Sequence, residues 1–160
     1  MAGGGLTSLT GRCWRAVPRG HGAAVLEGTI RAGRYNRPGQ RTLYMSGSRA
    51  GVAAAMARYG AAPRTVARLS VDAERLIDLR DPAACNVLGI DASRVKEDWI
   101  AALDRGDEPA SWRASDRARA IGAQGLIDGS RRLPDAWHLV LFAWNNERGA
   151  RVKFEGPSRE

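Results

Sequence analysis

The sequence predicts a single compact α+β domain. A chain of 160 residues is long enough to bury most of its apolar surface in one core. Its 44% hydrophobic and 26% charged residues are ordinary for a soluble globular protein. Segments typical of strands and of helices follow one another without the alternation of a repeated β-α-β layout, and we see no internal repeat or linker.

Six segments are typical of strands. "RCWRAV" alternates in polarity and is stopped by Pro18, and "RTVARLSV" alternates in the same way. "GLIDGS" is a short strand ending in a turn, and "WHLVLFAWN" is the most continuous apolar run, which predicts a central strand. In chain order, strands are expected at Arg12–Val17, Arg41–Ser46, Arg64–Val71, Arg75–Leu79, Gly125–Ser130 and Trp137–Asn145.

Three further segments are typical of helices. Ser48 can cap the first helix, and Gly60 can end it. Apolar residues four positions apart mark one face of the second helix, which begins after Ser93. The helices are expected over residues 49–59, from Ser93 to about Gly106, and over residues 114–123.

The two ends of the chain are expected to lie outside the folded domain. We expect residues 1–11 to be a flexible lead, residues 12–154 to form the domain, and residues 155–160 to be a frayed tail. Residues 20–40 are punctuated by glycine and proline, which predicts a loop between the first two strands.

Composition argues against several classes of protein. The formal charge of +8 favours an anionic partner, although a bland basic surface from an arginine-rich composition explains it as well. Cys13 and Cys85 lie far apart, and His21 and His138 are isolated, so neither a disulfide framework nor a metal site is expected. The start of the chain has no signal-peptide pattern and no run could cross a membrane, so a cytoplasmic protein is expected. Basic residues form no dense run, so direct nucleic-acid binding is not expected.

The common catalytic templates are absent, which leaves polar residues near strand ends as candidates. No GxGxxG, Walker A or GxSxG sequence occurs. Arg34, in a glycine-rich loop, can bind a phosphate at two points or be a solvated loop residue. Tyr44 offers a ring for stacking and a polar tip, or it fills the core. Ser130 can bind a ligand or its own turn.

Four stretches, taken in order, match the plan of a known family. "GRYNRPGQRTLYMSGS" is a Gly-Arg-aromatic-Asn loop that leads into a strand carrying a tyrosine. "WRAV" precedes it, "RLSVDAERLIDLRD" follows as a strand pair, and "GLIDGSRRLPDAWHLVLF" places a serine after a glycine-led strand. Together, over residues 12–144, these stretches resemble the RES-domain toxins of the RES–Xre type II toxin–antitoxin family.

This resemblance implies an ADP-ribosyltransferase-like domain, a split β-sheet flanked by helices, that uses NAD as its substrate without a metal. It implies Arg34, Tyr44 and Ser130 as catalytic residues. The residues implied to contact NAD are Arg34, Tyr35, Asn36, Tyr44, Ser46 and Ser130. It also implies a helix-turn-helix (Xre-type) antitoxin as partner, no membrane, and a cellular protein as acceptor, phosphoribosyl pyrophosphate synthetase being one target known in the family.

The chain departs from the family at one position. The family is named for an arginine, a glutamate and a serine, and the glutamate is expected in the helix after Tyr44, where residues 53–56 read Ala-Ala-Ala-Met. Without that acid, activation of water is harder to explain than attack by a protein that brings its own nucleophile. We therefore expect a mono-ADP-ribosyltransferase toxin; the alternatives are an NAD glycohydrolase or phosphorylase, and a non-catalytic basic binding module. Acids that can substitute for the glutamate are Glu27, Asp72, Asp78 and Asp81.

Overall fold

A computed structural model describes residues 4–20, 22–60 and 63–158, so His21 lies outside the described part of the chain. The expected mixture of strands and helices is confirmed. The strands are β1 (Leu6–Pro18), β2 (Leu43–Ser46), β3 (Arg64–Asp78), β4 (Gly125–Gly129), β5 (Trp137–Leu141) and β6 (Arg151–Pro157). The α-helices are α1 (Arg49–Met56), α2 (Pro82–Val87), α3 (Trp99–Asp104) and α4 (Ala110–Ala120).

The strands form one sheet that closes on itself. Their order is β1-β2-β5-β4-β3-β6, and β1 pairs with β3 along most of its length, so five strands complete a barrel-like ring. β6 pairs with the first half of β3, and β4 pairs in parallel with the last residues of β3. The ring therefore places β5 between β2 and β4, although β2 lies far from the other two strands in the sequence.

Alternating side chains on the strands build two cores. On one face of the sheet, Leu69 of β3 and Leu139 of β5 belong to a cluster of buried apolar residues that also contains Cys13. On the other face, Leu126 and Val140 pack with residues of α4 and of the segment that precedes it. The period-two pattern predicted for these strands is what assigns neighbouring residues to opposite faces.

The first helix follows its sequence signals closely. The Ser48 hydroxyl accepts a hydrogen bond from the Gly51 N–H at 2.9 Å, which satisfies one of the free donors at the helix start. α1 ends at Met56 and continues as a short 3-10 turn over residues 57–59. Gly60 then takes a φ of 74°, a backbone conformation that glycine adopts without steric cost.

Several boundaries differ from the prediction. Residues 6–11, expected in a flexible lead, are paired in β1, and β6 runs through residues 155–157, expected in a frayed tail. The two strands expected at Arg64–Val71 and Arg75–Leu79 are one strand, β3, because the polar residues between them alternate in step with the buried ones. The strands expected at Gly125–Ser130 and Trp137–Asn145 end earlier, at Gly129 and Leu141.

The helices after β3 also differ from the prediction. Asp98, not Ser93, caps α3, since its carboxylate accepts hydrogen bonds from the N–H groups of residues 100 and 101. The segment after Ser93 is only a 3-10 turn over residues 94–96. The helix expected over residues 114–123 begins earlier, as α4. α2, for which no prediction was made, is capped by Asp81.

The described residues contain neither a helix that could span a membrane nor a cluster of metal-ligating side chains. None of the helices found there is both long and apolar enough to span a membrane. No group of three or more His, Cys, Asp or Glu side chains in the described ranges is arranged to hold a metal ion.

Candidate functional site

The loop that carries Arg34 is held in place by α4. The Trp112 indole donates a hydrogen bond to the Gly33 carbonyl at 2.8 Å, and the Ser111 hydroxyl donates to the carbonyl of Arg34. Both α4 side chains are buried, so these bonds are shielded from competing water. The backbone on both sides of the Arg34 side chain is therefore fixed by a helix nearly eighty residues away in the sequence.

A second attachment to α4 lies at the end of the same loop. The Arg37 guanidinium donates to Glu108 at 2.8 and 3.0 Å and to Asp116 at 2.6 Å. It also lies over the Trp112 ring, 5.2 Å from the ring centre. A guanidinium that meets two carboxylates and an aromatic face forms a network, and networks hold more firmly than isolated surface ion pairs.

The inside of the loop is held by Asn36 and Tyr44. The Asn36 side chain is fully buried, and its amide nitrogen donates to three carbonyls of its own loop at 2.7, 3.0 and 3.3 Å. The Tyr44 hydroxyl donates to Asn36 Oδ1 at 2.6 Å and accepts the Tyr35 N–H at 3.1 Å. A Cβ at Gly33 would lie 2.7 Å from both of these oxygens, so only glycine fits there.

The fixed loop forms one wall of a cavity of about 460 Å³. β1, β2, β4, β5 and α1 contribute to the other walls, and Tyr44, Met45 and Val140 supply ring and apolar surface. Positive charge dominates the lining, which contains Arg15, Arg31, Arg34, Arg131 and Arg132. A cavity of this size with an apolar wall and several guanidinium groups suits a small molecule that has both a flat ring and a phosphate.

The five arginines differ in burial and in hydrogen-bond partners. Arg15 is largely buried in β1 and donates to the Tyr44 carbonyl at 2.9 Å, and burial lowers its pKa. Arg34 is partly exposed, and its Nη1 lies 3.4 Å from the Glu97 carbonyl. Arg131 donates to Asp128 and to the Val95 carbonyl, each at 2.8 Å. The guanidinium groups therefore reach the cavity from different sides of it.

Ser46 and His138 form a polar pair on the floor of the cavity. They face each other across the β2–β5 pairing, with 2.8 Å between Ser46 Oγ and His138 Nδ1. Burial lowers the pKa of His138, the cations of Arg131 and Arg34 lower it further, and the charge of Asp128 opposes them. The neutral imidazole is therefore favoured near pH 7.

Asp128 is the acidic side chain on the cavity wall. It is buried in β4, and among the described residues it is the only acid that lines this cavity. Its Oδ2 accepts hydrogen bonds from the Tyr35 hydroxyl at 2.5 Å and from Arg131 at 2.8 Å. Burial raises the pKa of Tyr35, and the Asp128 charge raises it further, so the phenol stays protonated as a donor.

A second, larger cleft of about 1230 Å³ lies beside the cavity. Its lining comes mostly from α2 and the segment that follows it, with Arg80, Asp91 and Lys96 among its charged residues. Three residues line both spaces, and they are Asp128, Ser130 and Arg131. The end of β4 is thus a wall shared by two spaces.

The structure brings five of the six predicted NAD contacts to one cavity. Arg34, Tyr35, Tyr44, Ser46 and Ser130 all line it. Asn36 does not line it, because its side chain makes hydrogen bonds inside the loop. The Ser130 hydroxyl accepts the N–H groups of residues 132 and 133 at 3.3 and 3.2 Å, which is the local turn role left open above. Contact of these residues with NAD stays a prediction.

The helix residues that replace the expected glutamate also reach this cavity. Ala54, Ala55 and Met56 line it, so α1 offers an apolar surface there. The acids suggested as substitutes do not line the cavity: Glu27, Asp72, Asp78 and Asp81. Asp128 and His138 were not predicted as site residues. One signal pointed to Asp128, since a charged residue inside the apolar strand "GLIDG" must find partners when it is buried.

Comparisons with known proteins agree with this architecture. The model of the RES domain family matches residues 12–160. Among solved structures, the chain is similar to the M. tuberculosis MbcT–MbcA toxin–antitoxin complex, with a TM-score of 0.57 and 17% sequence identity over 94% of this chain and 87% of that chain. At this identity the likeness shows the fold alone. No curated protein matches the chain.

Proposed function

The chain belongs to the RES domain family, and on this premise we propose that it is the toxin of a toxin–antitoxin module and that it consumes NAD. The observation that carries the proposal is the arginine-rich cavity, in which the loop, β2 and β4 place Arg34, Tyr44 and Ser130 on the walls of one space. A ring-stacking surface beside guanidinium groups fits a nicotinamide joined to a pyrophosphate. We also propose that the closed sheet of this chain corresponds to the split β-sheet of the ADP-ribosyltransferases.

The chemistry asks for positioning and charge stabilisation. Cleavage of the bond between nicotinamide and ribose leaves a positively charged, oxocarbenium-like ribose. Nicotinamide is cationic in NAD and leaves neutral, so the protein needs no acid to protonate it. In our proposal Arg34 binds the pyrophosphate, the Tyr44 ring packs against the nicotinamide or its ribose, and Ser130 donates to an amide or hydroxyl.

We propose a mono-ADP-ribosyltransferase that modifies a cellular protein, phosphoribosyl pyrophosphate synthetase being a candidate acceptor. The support for an acceptor larger than water is the larger cleft beside the cavity, which shares Asp128, Ser130 and Arg131 with it. An acceptor side chain in this cleft would lie next to the end of β4, where the two spaces meet.

An NAD glycohydrolase is the second candidate function, and Asp128 is the observation that favours it. The preference for a protein acceptor rested on the missing glutamate, and an acid on the cavity wall weakens that reason. With Asp128 present, water near the ribose has a carboxylate to accept its hydrogen bond. The choice between transfer and hydrolysis therefore depends on what occupies the second cleft during the reaction.

The partner we propose is an antitoxin of the helix-turn-helix (Xre) type. One structural neighbour is a toxin–antitoxin complex. A small gene for a helix-turn-helix protein beside the gene for this chain, and the co-purification of the two proteins, would support this assignment. Growth arrest on expression of the chain alone, relieved by the neighbouring gene, is the expected result.

Mass spectrometry after mixing the purified protein with NAD and cell lysate tests the proposed activity. A protein carrying ADP-ribose supports the transferase, and free ADP-ribose in the absence of lysate supports the glycohydrolase. Arg34→Ala is the matched inactive control, and Arg105→Ala, which removes an exposed arginine outside the cavity lining, is the matched active one. Unchanged NAD in every reaction would refute both enzymatic functions and favour a basic binding module.

A further inference from the structure

The acidic side chain of the cavity lies on a different secondary-structure element from the one that the family pattern implies. Helix α1 presents Ala54, Ala55 and Met56 to the cavity, with no acid among them. Asp128 instead reaches it from strand β4, next to β5 in the sheet. It is the one carboxylate on the described lining, among five arginines.

The carboxylate of Asp128 is held in one orientation. A buried charge is costly unless it is paired and hydrogen-bonded, and Asp128 is only 7% exposed. The Tyr35 hydroxyl and the Arg131 guanidinium both donate to Oδ2. Arg131 is itself fixed by its second bond to the Val95 carbonyl. Oδ1 accepts neither of these bonds.

The donors on Oδ2 are themselves part of the site. Tyr35 follows Arg34 directly, and its N–H is held by the Tyr44 hydroxyl. The loop that carries the phosphate-binding arginine therefore also supplies the phenol that orients the carboxylate. This arrangement fixes Asp128 relative to Arg34 and leaves a carboxylate oxygen for a ligand.

We infer that Asp128 is the acidic residue of the NAD site, with Oδ1 accepting a hydrogen bond from a hydroxyl of the ribose that carries nicotinamide. This inference rests on the proposed function. The bond between ribose C1′ and nicotinamide breaks, and its electron pair leaves with the nicotinamide nitrogen. The acceptor's nucleophilic atom bonds to C1′ and releases its proton to water. The charge of Asp128 stabilises the positive ribose between these two events.

Asp128→Asn tests this role with little change of shape. The asparagine carbonyl can still accept from Tyr35 and Arg131, while the negative charge and the second acceptor oxygen are lost. We expect kcat for NAD consumption to fall about 100-fold or more, with the Kd for NAD within about 3-fold of the wild-type value, since a group that acts on developing charge affects the transition state most. The control is Asp107→Asn, which alters an exposed ion pair outside the lining and should leave kcat unchanged.

Two further variants extend the test, and the first of them does not depend on the folding of Asp128→Asn. Tyr35→Phe keeps the carboxylate but removes one of the two donors that orient it, and we expect kcat to fall about 10-fold. Ala55→Glu, added to Asp128→Asn, returns an acid to the cavity from α1, and we expect it to recover part of the lost kcat. Circular dichroism establishes which variants are folded.

The outcomes separate this inference from the proposed function. A wild-type protein that leaves NAD intact with lysate present overturns both. A wild-type protein that consumes NAD, together with a folded Asp128→Asn variant that keeps half or more of the activity, overturns the inference alone. If Asp128→Asn does not fold, an unchanged kcat in Tyr35→Phe overturns it in the same way.

Discussion

Replacing Tyr44 by phenylalanine removes one oxygen atom from the inside of the loop that carries Arg34 and leaves the ring on the cavity wall. That oxygen makes two hydrogen bonds, one to Asn36 Oδ1 at 2.6 Å and one from the Tyr35 N–H at 3.1 Å. Asn36 and Tyr35 are 0% and 1% exposed, so water cannot readily replace the lost partner. Both groups are therefore left unsatisfied in the folded protein.

The magnitude follows from these two orphaned groups. A buried polar group that loses its partner costs about 1–3 kcal/mol, so we expect a loss of about 3 kcal/mol in the free energy of unfolding. In a domain of this length, 1 kcal/mol corresponds to about 2–4 °C, so the Tm of Tyr44→Phe should lie roughly 6–12 °C below that of the wild type. The KM for NAD should rise as well, because the loop that places Arg34 becomes less rigid.

Thermal unfolding followed by circular dichroism without NAD measures the first effect, and urea unfolding with an unchanged slope confirms that stability is what changed. Tyr59→Phe is the matched control, because its side chain is largely exposed and a surface substitution should change stability by less than about 0.5 kcal/mol. A Tm of Tyr44→Phe within about 2 °C of the wild type would show that the hydroxyl does not hold the loop.

Three further predictions concern the cavity and its frame. Arg34→Ala should abolish NAD consumption, measured by chromatography of NAD. Arg34→Lys keeps the positive charge but not the planar fork of the guanidinium, so it should retain a reduced rate. An equal loss of rate in both variants would argue against a simple charge requirement. His138 has a lowered pKa in the folded protein, so the unfolded chain binds a proton first and the protein should lose stability as pH falls below about 6.5. His138→Gln should flatten this part of the Tm-versus-pH curve, and an identical curve would contradict the assignment. Gly47→Ala should lower the free energy of unfolding by about 3 kcal/mol or prevent folding, because its Cβ would lie 2.2 Å from the Trp137 ring; soluble protein of wild-type Tm would disprove this.

The parts of the fold that the sequence predicted well are those whose signals are local. Ser48 begins the first helix and Gly60 ends the turn that follows it, and each acts on groups within a few residues of itself. Both signals are therefore readable in the sequence. The sequence does not indicate β6 because five of its seven residues are exposed and three are charged, and the segment is a strand because it pairs with β3. α2 is short, yet Asp81 followed by Pro82 was a readable start signal.

The site divides in the same way. The motifs point to Arg34, Tyr44 and Ser130, and all three line one cavity in the fold. The position of Asp128 relative to Tyr35 joins residues 93 positions apart, so no spacing in the sequence reveals it. His138 is isolated in the sequence, and only the pairing of β2 with β5 gives it Ser46 as a partner. Contacts of this kind depend on strand register, which composition does not encode.

The closed ring has a consequence for the chain during its synthesis. β5 pairs with both β2 and β4 and is the last strand in chain order that is needed to close the ring. Pairings between segments so distant in sequence form slowly and only after both segments have left the ribosome. A nascent or truncated chain that lacks Trp137–Leu141 therefore has the cavity's arginines but not the strand that completes the cavity wall. The cavity is therefore complete only once β5 has been synthesised and has paired with β2 and β4.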